Sequence, residues 1–382
     1  MGFSGVSGLK DLFSSYGRNL GGWRTDRKLV IFESDDWGGI RMPSRSVYNH
    51  LLRKGFRVDE IAYERYDSLA SEADLQSLFG ILSAFKDCRN SPPVFTANAI
   101  LANPDFKKIR ENGYSGYEYE LFTETLKRYP GHGGAFTLWK KGMEAGLFSP
   151  QFHGREHVNV PLFMEHLKQG VAELHTFFDS GLAGCVPRQG VAGGNRYVEP
   201  LNFRNENEKK GVMESLSDGL ERFEEVFGNP SKTMAPANYY WHRDFEPVTA
   251  ECGVRYLQGR RKMKHAGKND PPRLLKKKLG EKNQTGQLHL VRNVFFEPTL
   301  HRKVYTDPVD KSLAEMSAAF RMKKPAVICS HRLNYIGYID PDNRDLNLKL
   351  LHSLLARMLK KWPDIEFVTS QELGEIIKGG GP

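Results

Sequence analysis

Short apolar runs alternate with longer amphipathic stretches along almost all of this 382-residue chain, and that alternation most restricts its fold. The apolar runs lie at 28–34 (KLVIFES), 93–97, 149–154, 233–239, 254–258, 288–296, 325–330 and 366–370. Between them fall helical patterns. Leu75, Leu78, Phe79, Leu82 and Phe85 share one face of 71–87, and Leu162, Phe163, Leu167, Val171, Leu174 and Phe178 make a stripe after a cap at Asn159. Helices are also expected in 114–148, over 206–227 (stopped by Gly228 and Pro230), 244–252, 309–321, 343–361 and 371–378. Strand, loop and helix recur about seven times, the signature of a parallel α/β fold, and the length favours a barrel over an open sheet.

Five polar residues fall just past the ends of predicted strands: Asp35, Asp36, His153, His157 and His331. In a parallel barrel those ends share one face, where chemistry is built. Each residue alone has an ordinary explanation, such as turn chemistry for Asp-Asp, coincidence for a His pair, or a hydrogen-bonded strand end for His331. Together they outline a site. Asp36, His153 and His157 offer one oxygen and two nitrogens to a divalent metal, most simply Zn2+, with a fourth position open as in catalytic zinc sites. Asp35 is then placed as a general base and His331 as a general acid.

This set resembles the polysaccharide deacetylase family, carbohydrate esterase family four. The matching stretches are Ser34-Asp35-Asp36-Trp37-Gly38, His153 to His157, Met234-Ala235-Pro236-Ala237-Asn238-Tyr239, and Val327-Ile328-Cys329-Ser330-His331. The resemblance implies a distorted (β/α)7-type barrel of parallel strands. It also implies Asp35 as base, metal on Asp36, His153 and His157, His331 as acid, and a main-chain N–H near 237–239 holding the oxyanion. The implied substrate is an acetylated sugar or polysaccharide of bacterial surface-polysaccharide metabolism, losing an N- or O-acetyl group. Gly154 stands where the family has Ser or Thr, Met234 where it has Arg, and the Asp-containing fourth motif has no clear counterpart. Trp37, Arg155, Asn238, Tyr239, Arg332 and Asn334 are candidate sugar contacts, with Trp37 either stacking a ring or closing the barrel mouth.

Two other readings compete. His153-Gly-Arg-Glu-His157 also fits the inverted zinc-protease motif with Glu156 as base, which requires a helix there. A carbohydrate-binding barrel without activity would need neither Asp35 nor His331.

Charge is concentrated. Residues 259–287 hold ten Lys or Arg against Asp270 and Glu281, a net +8 of the chain's +9. With Pro271-Pro272 and little periodicity, this basic insertion reads as a long exposed loop. It is a candidate contact for phosphate, an anionic glycan or a membrane surface. Nucleic acid is not expected, because aromatics that would stack bases are missing from it. The expected organisation is a helix and linker over 1–27 followed by a single domain over 28–380. Cys88, Cys185, Cys252 and Cys329 lie far apart with no CxxC, and no signal peptide or membrane span is apparent. These features point to reduced thiols in a cytoplasmic protein.

Overall fold

Nine parallel strands form the main sheet of the computed structural model, which describes residues 14–184, 196–267, 271–301 and 307–379. They are β1 (Lys28–Trp37), β2 (Phe95–Ile100), β3 (Phe148–Gly154), β4 (Thr233–Met234), β5 (Tyr256–Arg260), β6 (Leu288–Arg292), β7 (Val294–Phe295), β8 (Ala326–His331) and β9 (Ile365–Phe367). Eight pair in the order β6-β5-β4-β3-β2-β1-β8-β7, and β9 joins the first residues of β1. Only Asn293 separates β6 from β7, so both ends of this path are one stretch of chain and the sheet nearly closes into a barrel. Counted as one kinked strand, β6 and β7 complete the expected seven staves.

Asn293 fastens the seam. Its amide donates to Asn19 Oδ1 (2.7 Å) and Pro325 O (2.8 Å) and accepts from Val327 N (2.8 Å). Outside the sheet pack α1 (Glu72–Ser83), α2 (Ala135–Glu144), α3 (Glu206–Phe227), α4 (Pro308–Arg321), α5 (Pro341–Lys361) and α6 (Ser370–Lys378). Their boundaries follow local chemistry. Ser71 and Asp74 form a capping box on α1, as do Thr369 and Glu372 on α6. Gly228 ends α3 at φ +78°, and Asp340 caps α5.

Alternation along the strands layers the interior. Leu29, Ile31, Leu288, Leu290 and Val327 form an apolar plug at the end closed by α6. Above them Glu33, Thr96, Asn98, Gln258 and Arg292 make a fully buried polar layer. Asp35, His153 and His331 come next, at the C-terminal rim.

Several elements differ from the sequence expectation. β1 runs on through Trp37 instead of stopping at Ser34. The stripe from 160 to 178 is two helices, Val160–Lys168 and Ala172–Asp179, parted at Gly170 (φ +71°). The basic insertion is not a bare loop: Lys262–His265 pairs with Leu274–Lys276 and with Tyr240–Trp241 in a small separate sheet, while Lys268 and Asp270 lie outside the described residues. Residues 14–27 pack on the barrel, where Arg18 pairs with Glu315 (2.7 Å) and Asn19 meets the seam. Cys88, Cys252 and Cys329 are free thiols, and Cys185 lies outside the described residues. Among the described residues no helix is long and apolar enough to cross a membrane.

Replacing Asn293 with Ala strips partners from a buried N–H and a buried carbonyl at the seam. The expected loss of stability is ~2–3 kcal/mol, read as a lower denaturant midpoint at unchanged slope.

Candidate active site

Strand geometry first places the two adjacent carboxylates. Successive residues of a strand face opposite ways, so Asp35 and Asp36 could not share a pocket on a regular β1. The pairing of β1 with β2 slips between Ser34 and Trp37, and Asp36 sits at φ +74°. This bulge turns both carboxylates inward. The left-handed backbone costs ~1–3 kcal/mol in a residue other than glycine, a strain typical of functional positions.

The His pair arises where β3 ends. Gly154 takes φ +148°, and a Cβ there would stand 3.2 Å from Glu156 O. Backbone bonds from Leu101 N to Gly154 O (3.1 Å) and Ala102 N to Arg155 O (2.6 Å) steady the turn, in place of a Ser or Thr side chain. His153 Nδ1 lies 2.6 Å from Ala235 O, which leaves Nε2 to face the pocket as an acceptor. Nε2 of His153 and of His157 stand 3.3 and 3.5 Å from Asp36 Oδ1.

Those spacings fit a metal. Tetrahedral donors ~2.1 Å from a common centre stand ~3.4 Å apart. Burial, the largest effect, pushes His157 down to about 3, keeping its imidazole neutral as a ligand must be. Burial, the largest single effect, opposes ionisation of Asp36, but the surrounding His153, His157, His331 and Arg41 together hold the carboxyl well below its usual range. Glu297, Cys329 and His331 form a second group of closely spaced donors. It suits a cation less, because the Arg292 guanidinium already lies 3.5 Å from Cys329 Sγ.

Asp35 is held from beneath. Arg292 reaches up from β6 and grips both its oxygens, at 2.5 and 2.8 Å, while Nε bonds Glu33 at 2.5 Å. Asn98 donates to Asp35 Oδ1 (2.7 Å), and Arg292 also donates to Tyr239 Oη (2.9 Å). Burial, the largest single effect, would raise Asp35, but the charge and hydrogen bonds of Arg292 together with the nearby His153 and His331 keep the carboxyl far below the usual carboxylate range. Glu33 moves the other way: burial pushes it up despite Arg292.

His331, at the end of β8, has Nε2 3.8 Å from Asp35 Oδ2 and Nδ1 2.5 Å from Glu297 Oε1. Asn334 steadies Glu297 from behind (2.8 Å). Burial would lower His331, yet the charge and hydrogen bond of Glu297 raise it to about 10.

A pocket of about 340 Å3 brings Asp35, Asp36, His153, His157 and His331 together with Arg41, Tyr63, Asn238 and Tyr239. The other candidate sugar contacts do not line it. Trp37 is 1% exposed, bonded to Ser34 and packed edge-on against Trp139 and Phe148; it belongs to the core, neither stacking a ring nor closing the mouth. Arg332 is buried against Asp67 (2.9 Å), and Asn334 serves Glu297. Arg155 binds Glu156 and Asp218. Glu156 itself is held by Arg155 (2.6 Å) and Ser215 (2.9 Å), and it follows a strand end instead of lying in a helix, so the protease arrangement is not formed.

Sequence reasoning missed Arg292 and Glu297. The clue for Arg292 was a charge sharing the inward period of Leu288 and Leu290 in LHLVR. Arg292 grips Asp35 from β6, and Glu297 holds His331 Nδ1.

No family model and no curated protein matches the chain. Among solved structures it is similar to PuuE allantoinase, at 11% identity and TM-score 0.48, over 96% of each chain. It is also similar to a protein assigned as a polysaccharide deacetylase from Mycobacterium smegmatis, at 12% identity and TM-score 0.46, over 94% of this chain and 93% of that one. A 4-alpha-glucanotransferase from Thermococcus litoralis matches at 10% identity and TM-score 0.45, over 91% of this chain; the chain spans only 40% of that protein's length.

Two outcomes follow from these contacts. Arg292→Gln leaves buried carboxylates without their cation and should lower stability by ~3–5 kcal/mol in chemical denaturation. In metal-free protein, NMR titration should show His331 protonated at pH 8 and losing its proton near 10, with Glu297→Gln moving that titration to lower pH. Because the folded pKa lies above the ordinary 6.5, charging of His331 favours the fold below pH 6.5, and the benefit fades as pH rises through about 10.

Proposed function

We propose that this chain is a metal-dependent hydrolase that removes an N- or O-acetyl group from a sugar. The observation that carries the reading is the meeting, in one pocket, of a three-donor group (Asp36, His153, His157) with an oppositely charged Asp35–His331 pair. Asp36, His153 and His157 would hold the metal, most simply Zn2+, whose Lewis acidity makes water a nucleophile near neutral pH and polarises a carbonyl.

The chain's own residues supply the proton traffic. Arg292 and Asn98 leave Asp35 ionised and fixed in orientation, so it can accept the proton of the attacking water. His331 carries a proton at neutral pH, and Glu297 on Nδ1 aims Nε2–H at the pocket. It therefore can protonate the departing amine or alcohol. In the 237–239 turn, Tyr239 N is already bonded to Pro236 O, which leaves the N–H groups of Ala237 and Asn238 as candidates to hold the oxyanion. Asn238 and Tyr239, at φ +52° and +60°, present that turn to the pocket, and Arg41 and Tyr63 are further candidates to touch the sugar.

Acetate release from a panel of acetylated glycans tests this with zinc-loaded protein. Asp35→Asn should lower kcat by ~10²–10⁴-fold, while Glu156→Gln stays within a few-fold of wild type. The reverse pattern, or peptide cleavage that depends on Glu156, would contradict the assignment.

A further inference from the structure

A second and larger cleft, of about 700 Å3, opens beside the pocket and shares Tyr63 and His331 with it. Its walls are basic. Arg260 and Lys262 come from β5 and the strand that follows, and Lys311 from α4. Among the described residues none of these three has a carboxylate within ion-pair distance, whereas Arg18, also on the wall, is neutralised by Glu315. The Arg260 guanidinium instead lies over the rings of Tyr239 (4.8 Å) and Phe295 (4.9 Å). Glu297, the acid among the lining residues, is already committed to His331 and Asn334. Three unpaired cations converging on one concave wall focus positive potential there, and an anion relieves it.

We infer that this cleft binds the phosphate or diphosphate of a glycosyl phosphate whose acetylated sugar occupies the adjoining pocket. The identity of the sugar rests on the proposed acetyl hydrolysis; the anion site does not. Sugar chemistry favours this anion over a uronate. In a 2-acetamido sugar the anomeric oxygen sits on the carbon next to the acetamido group, so a phosphate there emerges immediately beside the reacting acetyl. That matches a basic cleft that begins at His331. Three cations also suit a diphosphate better than a single carboxylate. Both a nucleoside diphosphate sugar and a lipid-linked diphosphate sugar carry this group.

The test has two arms. In the first, inorganic pyrophosphate is titrated calorimetrically into metal-free protein at fixed ionic strength. Saturable binding is expected, weakened at least ~10-fold by Lys262→Gln with Lys311→Gln and weakened by rising salt. Absent binding, or binding indifferent to the double variant with its melting temperature intact, overturns the inference. In the second arm, zinc-loaded enzyme is offered a nucleoside diphosphate N-acetylhexosamine, a polyprenyl diphosphate N-acetylhexosamine, a neutral chitooligosaccharide and an acetylated polyuronate. The expected result is kcat/KM at least ~10-fold higher for one diphosphate, an advantage erased in the double variant; which diphosphate wins identifies the source. Preference for the neutral glycan or the polyuronate overturns the inference while leaving acetyl hydrolysis standing. Pyrophosphate binding without acetate release from any substrate supports the anion site and removes the hydrolase reading.

Discussion

A single guanidinium, that of Arg292, holds the upper half of this barrel together. It is fully buried between Glu33 and Asp35, and each of its three nitrogens bonds a carboxylate oxygen. Taking such charges out of water costs several kcal/mol per ion, so the arrangement persists only because every member is paired. Arg fits where Lys would not, since its planar fork reaches both oxygens of Asp35 while Nε serves Glu33. Burial drives Glu33 toward its neutral form, and the Arg292 charge is left to act chiefly on Asp35. One ion pair thus orients a proposed catalytic carboxylate and sets its protonation state.

The layers above and below depend on that interaction. Beneath it, Leu29, Ile31, Leu288, Leu290 and Val327 exclude water and lower the local dielectric. Above it, the bulge at Asp36 swings a second carboxylate toward His153 and His157. Across the rim, Glu297 does for His331 what Arg292 does for Asp35, with the opposite sign: an anion keeps an imidazole protonated. A carboxylate held ionised and an imidazole held charged, 3.8 Å apart, are environments pushing two titratable groups in opposite directions, the pattern expected of a base and an acid.

Much of this was legible in the sequence. Seven staves follow from apolar runs and capped helices, and the five candidate residues placed after those runs line one pocket. What was not legible depends on contacts distant along the chain. Arg292 is 257 residues from Asp35, and Met234 in the motif said only that the usual Arg was missing. Nothing local says that β6 curls round to bring Arg292 to Asp35. Trp37 failed as a sugar contact for a related reason: the same bulge that turns Asp36 inward sends the indole outward, onto Trp139 and Phe148. The basic insertion shows little strand periodicity because its strands are short and Met263 is the one buried residue in the pairing of Lys262–His265 with Leu274–Lys276, which left little pattern to read.

Zinc soaked into crystals of the protein, located by its anomalous scattering, tests the central claim most directly. A peak ~2.0–2.2 Å from Asp36 and from one nitrogen each of His153 and His157 is the predicted result. A peak at the Glu297, Cys329 and His331 group instead, or no peak at saturating zinc, would contradict the account.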